Sequence, residues 1–134
     1  MIKDIPVPEV NDIAVAVIPE EDENEGLAWS VYLLNLKDTP IEGVLVSSKG
    51  YGELNGEQIK TSTLRHFIEK IEPGNFSKVE PLPDVLLDFF NEYFITYYVG
   101  SVLFDKKFVF EPYSINGKNS AFIGSIGQNG ILLS

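Results

Sequence analysis

The chain contains no cysteine, which excludes disulfides, thiolate metal sites and thiol nucleophiles and fits either a reducing compartment or mere chance. It has a single histidine, His66, so a zinc site would have to draw mostly on carboxylates, and neither a metal nor a cofactor is expected. Positive charge is scarce: ten Lys and Arg face twenty Asp and Glu, leaving a net charge of −10. Nucleic-acid affinity depends on clustered Lys and Arg releasing counterions, so no nucleic-acid partner is expected. No apolar run approaches the ~20 residues of a membrane span, which argues against a membrane partner. The opening residues MIKDIPVPEV lack the apolar segment of a secretory signal, and the expectation is a cytoplasmic protein.

What is present is a great deal of β-branched and aromatic side chain. At 134 residues the chain fits one domain over residues 1–134, long enough to bury a core without covalent staples. The longest aromatic and β-branched run, NEYFITYYVGSVLFDKKFVF, spans residues 91–110. Gly100-Ser101 at its middle has the Gly-X form of a two-residue hairpin turn. Folding there sets Val99 opposite Val102, Tyr97 opposite Phe104, Ile95 opposite Lys106 and Tyr93 opposite Phe108 on a core-side face. The reverse face pairs Tyr98 with Leu103, Thr96 with Asp105 and Phe94 with Lys107, a mixed surface suited to solvent or a partner.

Strand signals recur along the rest of the chain. Residues 1–8 read as an extended lead-in because of Pro6 and Pro8. IAVAVI at 13–18 reads as a buried strand ended by Pro19, and the acidic run from Glu20 to Glu25 as a solvated loop. Further strands are expected at 29–36, 41–48, 76–80 and 121–126, with a last one at 130–133. Residues 61–71 fit either a strand or an amphipathic helix, and the strand is preferred for the threonines at its start and the Pro73-Gly74 stop. Asp84 can cap at most one short helix near residues 84–90. Short strands at regular spacing with turn signals between them point to a mainly β, antiparallel sandwich.

Candidate functional residues are few. KGYGELNGEQ reads as a turn-rich link, which would present Lys49 and Tyr51 on an exposed loop. Its G-x-G-x-x-x-G spacing is not that of a dinucleotide loop. Arg65 and His66 are adjacent, so on a strand they point to opposite faces. No nucleophile-elbow pattern nominates a serine for His66. Asp105, Lys106 and Lys107 place charge inside the most hydrophobic hairpin. Lys106 on the core side has three readings: a lysine that discourages pairing at a sheet edge, part of a turn, or a contact to an acidic partner or ligand.

The layout of Trp29-Ser-Val-Tyr-Leu-Leu-Asn35, a following strand and a run ending in Ile71-Glu72-Pro73-Gly74 resembles immunoglobulin-like sandwich domains. The disulfide cysteines of antibody domains are absent, so Trp29 cannot pack on such a bridge. NLKDTPIEGVLVSSKGYGELNGEQIKTSTLRHF, with NEYFITYYVG and FDKKFVF, also resembles a group of small uncharacterised bacterial cytoplasmic proteins, some labelled phenylalanyl-tRNA synthetase alpha subunit. A synthetase core needs a larger mixed sheet and arginine-bearing ATP motifs, and this chain has one arginine, Arg65. The resemblance therefore implies an immunoglobulin-like β-sandwich of unknown activity. The expected role is a non-catalytic protein-interaction or scaffolding module with an unidentified protein partner and a possible homodimer through an edge strand. The alternatives are a small-molecule or carbohydrate-binding sandwich and a hydrolase using His66.

Overall fold

The computed structural model describes residues 12–22 and 26–134; the expected lead-in over residues 1–8 lies outside them, as do Glu23, Asn24 and Glu25 of the acidic run. The described residues form ten strands: β1 (Ile13–Asp22), β2 (Gly26–Asn35), β3 (Ile41–Leu54), β4 (Glu57–Lys60), β5 (Leu64–Ile71), β6 (Phe76–Leu82), β7 (Phe90–Val99), β8 (Val102–Phe110), β9 (Ala121–Ile123) and β10 (Gln128–Leu133). One sheet has the order β6-β2-β1-β10-β9. In the other, β8, β7 and β3 lie side by side, and the long β3 carries β5 along its first half and β4 along its second. All pairings are antiparallel, and the protein is a mainly β sandwich.

One hydrophobic core joins the sheets. Ile13, Val15, Val17, Val31 and Leu33 from the first meet Val44, Val46, Tyr93, Ile95, Tyr97, Phe108 and Phe110 from the second. Each such side chain contributes roughly 1.5–3 kcal/mol when fully buried. The parity of β3 is kept by a bulge opposite β7 between Glu42 and Leu45, where Gly43 takes a φ of 55°. The extra residue lets Ile41 and Val44 both face inward. Asn35, fully buried, ties the start of β3 to the end of β5: its Nδ2 donates to the carbonyls of Thr39 and Ile71, and its Oδ1 accepts from the Lys37 N–H.

Several boundaries differ from expectation. Pro19 does not end β1, which pairs on through Asp22. On its other side β1 meets β10 only as far as Val17, so the proline sits where it has just one neighbouring strand and no second ladder to interrupt. Residues 64–71 are a strand, and the expected short helix is a 3-10 turn at Asp84–Asp88. A second 3-10 turn, Gly117–Asn119, lies in the polar loop, where the Asn116 side chain accepts from the Asn119 N–H. The hairpin register is as expected at every pair. Its core face is not buried throughout: Tyr97, Ile95, Tyr93 and Phe108 are enclosed, whereas Val102 and Phe104 near the turn are exposed.

The largest correction concerns residues 49–56. Lys49 and Tyr51 are not on a loop, because β3 runs unbroken to Leu54 and only Asn55-Gly56 turns, with φ of 53° and 83°. The glycines of this stretch serve close approach instead. A Cβ at Gly52 would stand 2.9 Å from the Phe89 ring, and one at Gly50 would meet Asn91, Thr61 and Leu86 at ordinary contact distance.

Candidate functional site

Strand β3 separates two surfaces, because alternate residues project to opposite sides. Ser48 and Gly50 point between the sheets, while Leu45, Ser47, Lys49 and Tyr51 point to the outer face of the second sheet.

On the inner side, the open flank of the sandwich between β5 and β6 holds a cleft of about 230 Å³, lined by Ser48, Gly50, Thr61, Leu64, Glu80 and Asn91 among others. Its polar centre is Glu80. Ser48 Oγ donates to Glu80 Oε1 at 3.0 Å, His66 Nε2 lies 2.6 Å from the same oxygen, and the Tyr93 hydroxyl donates to Oε2 at 3.2 Å. Four strands in both sheets thereby meet at one carboxylate. The Tyr93 hydroxyl, buried and beside this negative charge, is held protonated far above the usual tyrosine range, burial being the larger cause. Asn91 fixes the floor by donating to the carbonyls of Leu86 and Phe89, and the Gly50 N–H donates to Thr61 Oγ1 at 2.8 Å.

In chemical terms the acid, not the imidazole, stands between serine and histidine. A Ser-His-acid relay requires the imidazole in the middle, taking the hydroxyl proton. Here the Ser48 proton points to Glu80.

On the outer side the second sheet presents exposed aromatic and aliphatic side chains: Phe67 is 68% exposed, Leu103 57%, Tyr98 42% and Phe94 39%. The register puts Arg65, Ser47, Phe94 and Lys107 in one row across β5, β3, β7 and β8. One step along, Lys49 lies opposite Glu92, with an ion pair at 3.7 Å. The Tyr51 hydroxyl also donates to Glu92, at 3.2 Å, and its ring stacks on Phe90 with centroids 5.4 Å apart. The opposite sheet differs. Ala14, Ala16, Ile18 and Leu34 on its outer side are buried under a second small cluster with Ile123, Ile126, Tyr32 and Leu36.

The six residues singled out by sequence thus divide among three places. Lys49, Tyr51 and Arg65 share the outer face, His66 points into the cleft, and Asp105 and Lys106 lie on β8 at the sheet edge. β8 is continuous, so Asp105-Lys106-Lys107 is not a turn. Lys106 is on the core side opposite Ile95, with its ammonium 5.2 Å from the centroid of the Phe108 ring. The sequence placed Phe94 on the hairpin face suited to solvent or a partner, as found, but did not single out Glu80, Ser48 or Phe67. Phe67 and Phe94 carried a signal in the strand alternation of β5 and β7; Glu80 carried none, because strict alternation along β6 sends position 80 outward. No family model, no curated protein and no solved structure matches the chain.

Proposed function

We propose that the protein is a non-catalytic interaction module whose binding surface is the outer face of the second sheet. The observation that carries this is the outward-facing row Arg65-Ser47-Phe94-Lys107, in which Arg65, Phe94 and Lys107 are exposed, with Phe67, Leu45, Tyr98 and Leu103 around it. Large apolar side chains on the solvent side of a sheet, rimmed by charge, mark protein-docking surfaces more often than they serve stability. Arg65 and Lys107 lie three strand spacings apart, about 14 Å, with Phe94 between them. The complementary partner is a protein segment that offers an apolar side chain between two carboxylates.

The strand layout supports an immunoglobulin-like reading of the fold. β1, β2 and β6 oppose β5, β3, β7 and β8 in the manner of that class, with β9 and β10 added beside β1. A cytoplasmic location belongs to the same proposal and rests on the absence of cysteine.

Selection of a random peptide library on the wild-type protein tests the reading. It should enrich peptides of acid-apolar-acid pattern, and their binding should be lost on Phe94→Ser and on Arg65→Glu, with the thermal midpoint of each variant unchanged. Absence of enrichment, or binding that survives both substitutions, overturns it. A second reading, a small hydroxylated ligand in the Ser48-Glu80 cleft, is favoured by the hydroxyls of Ser48, Thr61 and Ser62 along its wall. A hydrolase at His66 has less support, since Ser48 donates to Glu80 and not to the imidazole.

A further inference from the structure

β8 is the outer strand of the second sheet, and among the described residues no strand pairs with its free side. In a hairpin closed by a two-residue turn the closing pair exchanges both backbone hydrogen bonds, and bonded pairs then alternate. Val102, Phe104, Lys106, Phe108 and Phe110 therefore turn their backbone groups to β7, opposite Val99, Tyr97, Ile95, Tyr93 and Asn91. Leu103, Asp105, Lys107 and Val109 turn theirs outward. This is a template for another strand.

We propose that β8 pairs antiparallel with β8 of a second copy, about a two-fold axis at Lys106. Side chains that meet across such a pair must share a face, and outward bonding groups must meet outward bonding groups, so the axis passes through a residue. The choice among residues is decided by what each register brings together. An axis at Asp105 sets that acid against itself, and one at Lys107 sets that lysine against itself. With the axis at Lys106 the whole of Val102–Phe110 overlaps. Asp105 then faces Lys107 of the second copy, twice by symmetry, and these are hydrogen-bonded pairs. Phe104 faces Phe108, Leu103 faces Val109 and Val102 faces Phe110, each also twice. The exposed tip residues Val102, Leu103 and Phe104, which the described residues leave uncovered, gain cover.

One contact opposes the rest: Lys106 meets Lys106. Its ammonium is drawn along the strand toward the Phe108 ring, away from the axis. The repulsion makes the dimer reversible and sets its strength. Opposite charges across a strand pair stabilise and like charges destabilise, so the pattern selects this register over its neighbours. Pairing would also join the two outer faces on one side: the row Arg65-Ser47-Phe94-Lys107 continues into Asp105-Thr96-Leu45-Phe67 of the second copy. The dimer shares Lys107 with that face but needs no ligand bound there.

Sedimentation equilibrium over a roughly thousand-fold range of concentration tests this. The wild-type mass should rise from the 14.9 kDa of one chain toward twice that value. Asp105→Lys alone and Lys107→Asp alone should each weaken association at least tenfold or so, a loss of about 1.4 kcal/mol. Mixing those two variants should restore it as a one-to-one heterodimer, because opposite charges again face each other. Lys106→Thr, which carries no charge reversal and favours strand structure, should tighten the dimer. Both charged side chains at 105 and 107 are exposed, and a far-UV spectrum identical to wild type confirms that each variant folds. A wild-type protein with the mass of one chain at every concentration overturns the proposal, and so does a dimer indifferent to these reversals or single variants that fail to associate on mixing.

Discussion

Glu80 accepts hydrogen bonds from β3, β5 and β7 while itself belonging to β6, so a single side chain joins the two sheets along their open flank. Removing it leaves Tyr93, which is buried, and Ser48 without their acceptor, and an orphaned buried donor costs about 1–3 kcal/mol. Glu80→Ala should therefore lower unfolding free energy by about that amount in denaturant titration, and His66→Ala by less, because the imidazole is nearer solvent. The reverse order would show that the imidazole, not the carboxylate, holds the flank. Tyrosines set a second, alkaline sensitivity. Burial first, and then the Glu20 carboxylate it donates to, pushes the Tyr32 hydroxyl up to about 12; burial with Glu80, and burial with Asp12, push Tyr93 and Tyr97 up further. A raised folded-state value means that the contribution is complete below pH ~10, where the unfolded phenol is also protonated. It is lost as pH climbs past ~10 toward and beyond ~12, where the unfolded chain has ionised and the folded one has not. Stability measured at rising pH should fall from about pH 10 with a slope of at most ~1.4 kcal/mol per pH unit for each such tyrosine, and Tyr32→Phe should make the fall shallower. On the acid side the sign is opposite for Glu20. Burial raises its carboxyl, but hydrogen bonds from Tyr32, Ser30 and Lys78, with the Lys78 charge, outweigh that and leave it below the usual range. Its contribution is present above the ordinary carboxylate range and is lost as pH falls through the depressed value. His66 stood out in the sequence as the sole histidine. Glu80 did not, because strict alternation from Phe76 and Lys78 sends position 80 outward; the bulge where β6 passes Val31 and Tyr32 turns it inward.

Among elements, the β7-β8 hairpin was legible in full register because one turn dipeptide and an aromatic run fix it, and both are local. β3 was legible only to Ser48. Its glycines at 50 and 52 look like turn signals, and what keeps them extended is the approach of Phe89, Asn91 and Thr61, some of them forty residues away. The same kind of non-local reason sets Gly130 in β10. A Cβ there would stand 2.7 Å from the Val17 carbonyl oxygen and 2.6 Å from the Ile18 side chain. The carbonyl belongs to β1 in the middle of its sheet and cannot retreat. Gly130→Ala should destabilise the fold by about 1–3 kcal/mol in denaturant titration, the usual range for forced overpacking. Amide exchange should rise first in β10, whose register against β1 starts at the next residue, Ile131, and in β9, which pairs with β10 alone. Unchanged exchange there with lower global stability would place the strain elsewhere. At the hairpin tip alternation correctly put Val102 and Phe104 on the core face, yet the described residues leave both exposed.

At the scale of the whole molecule the dominant feature is the excess of ten negative charges on 134 residues. A folded chain of this length has a radius of gyration of about 14 Å. At 0.01 M salt the screening length is about 30 Å, so every carboxylate feels nearly every other; at 0.15 M it is about 8 Å, and only neighbours interact. The unfolded chain spreads the same charges over a much larger volume, so repulsion penalises the folded state more. The described ion pairs oppose this only weakly. Lys70 with Glu42 and Glu72, and Lys78 with Glu20, are spaced at 3.3 to 3.8 Å on the surface, and such exposed pairs contribute about 1 kcal/mol or less. Repulsion should therefore win, and added salt should stabilise. Between those two ionic strengths the thermal midpoint in calorimetry should rise by a few degrees, equivalent to about 1 kcal/mol for a domain of this size. A midpoint that falls with salt would mean that the ion pairs outweigh the net charge. The same screening acts oppositely on the Asp105-Lys107 contacts between copies. Two copies that each carry ten excess negative charges, with Lys106 against Lys106, repel as well, so added salt should raise the midpoint of a dilute single chain and strengthen association; a dimer that weakens with salt would show that the Asp105-Lys107 contacts outweigh the net charge.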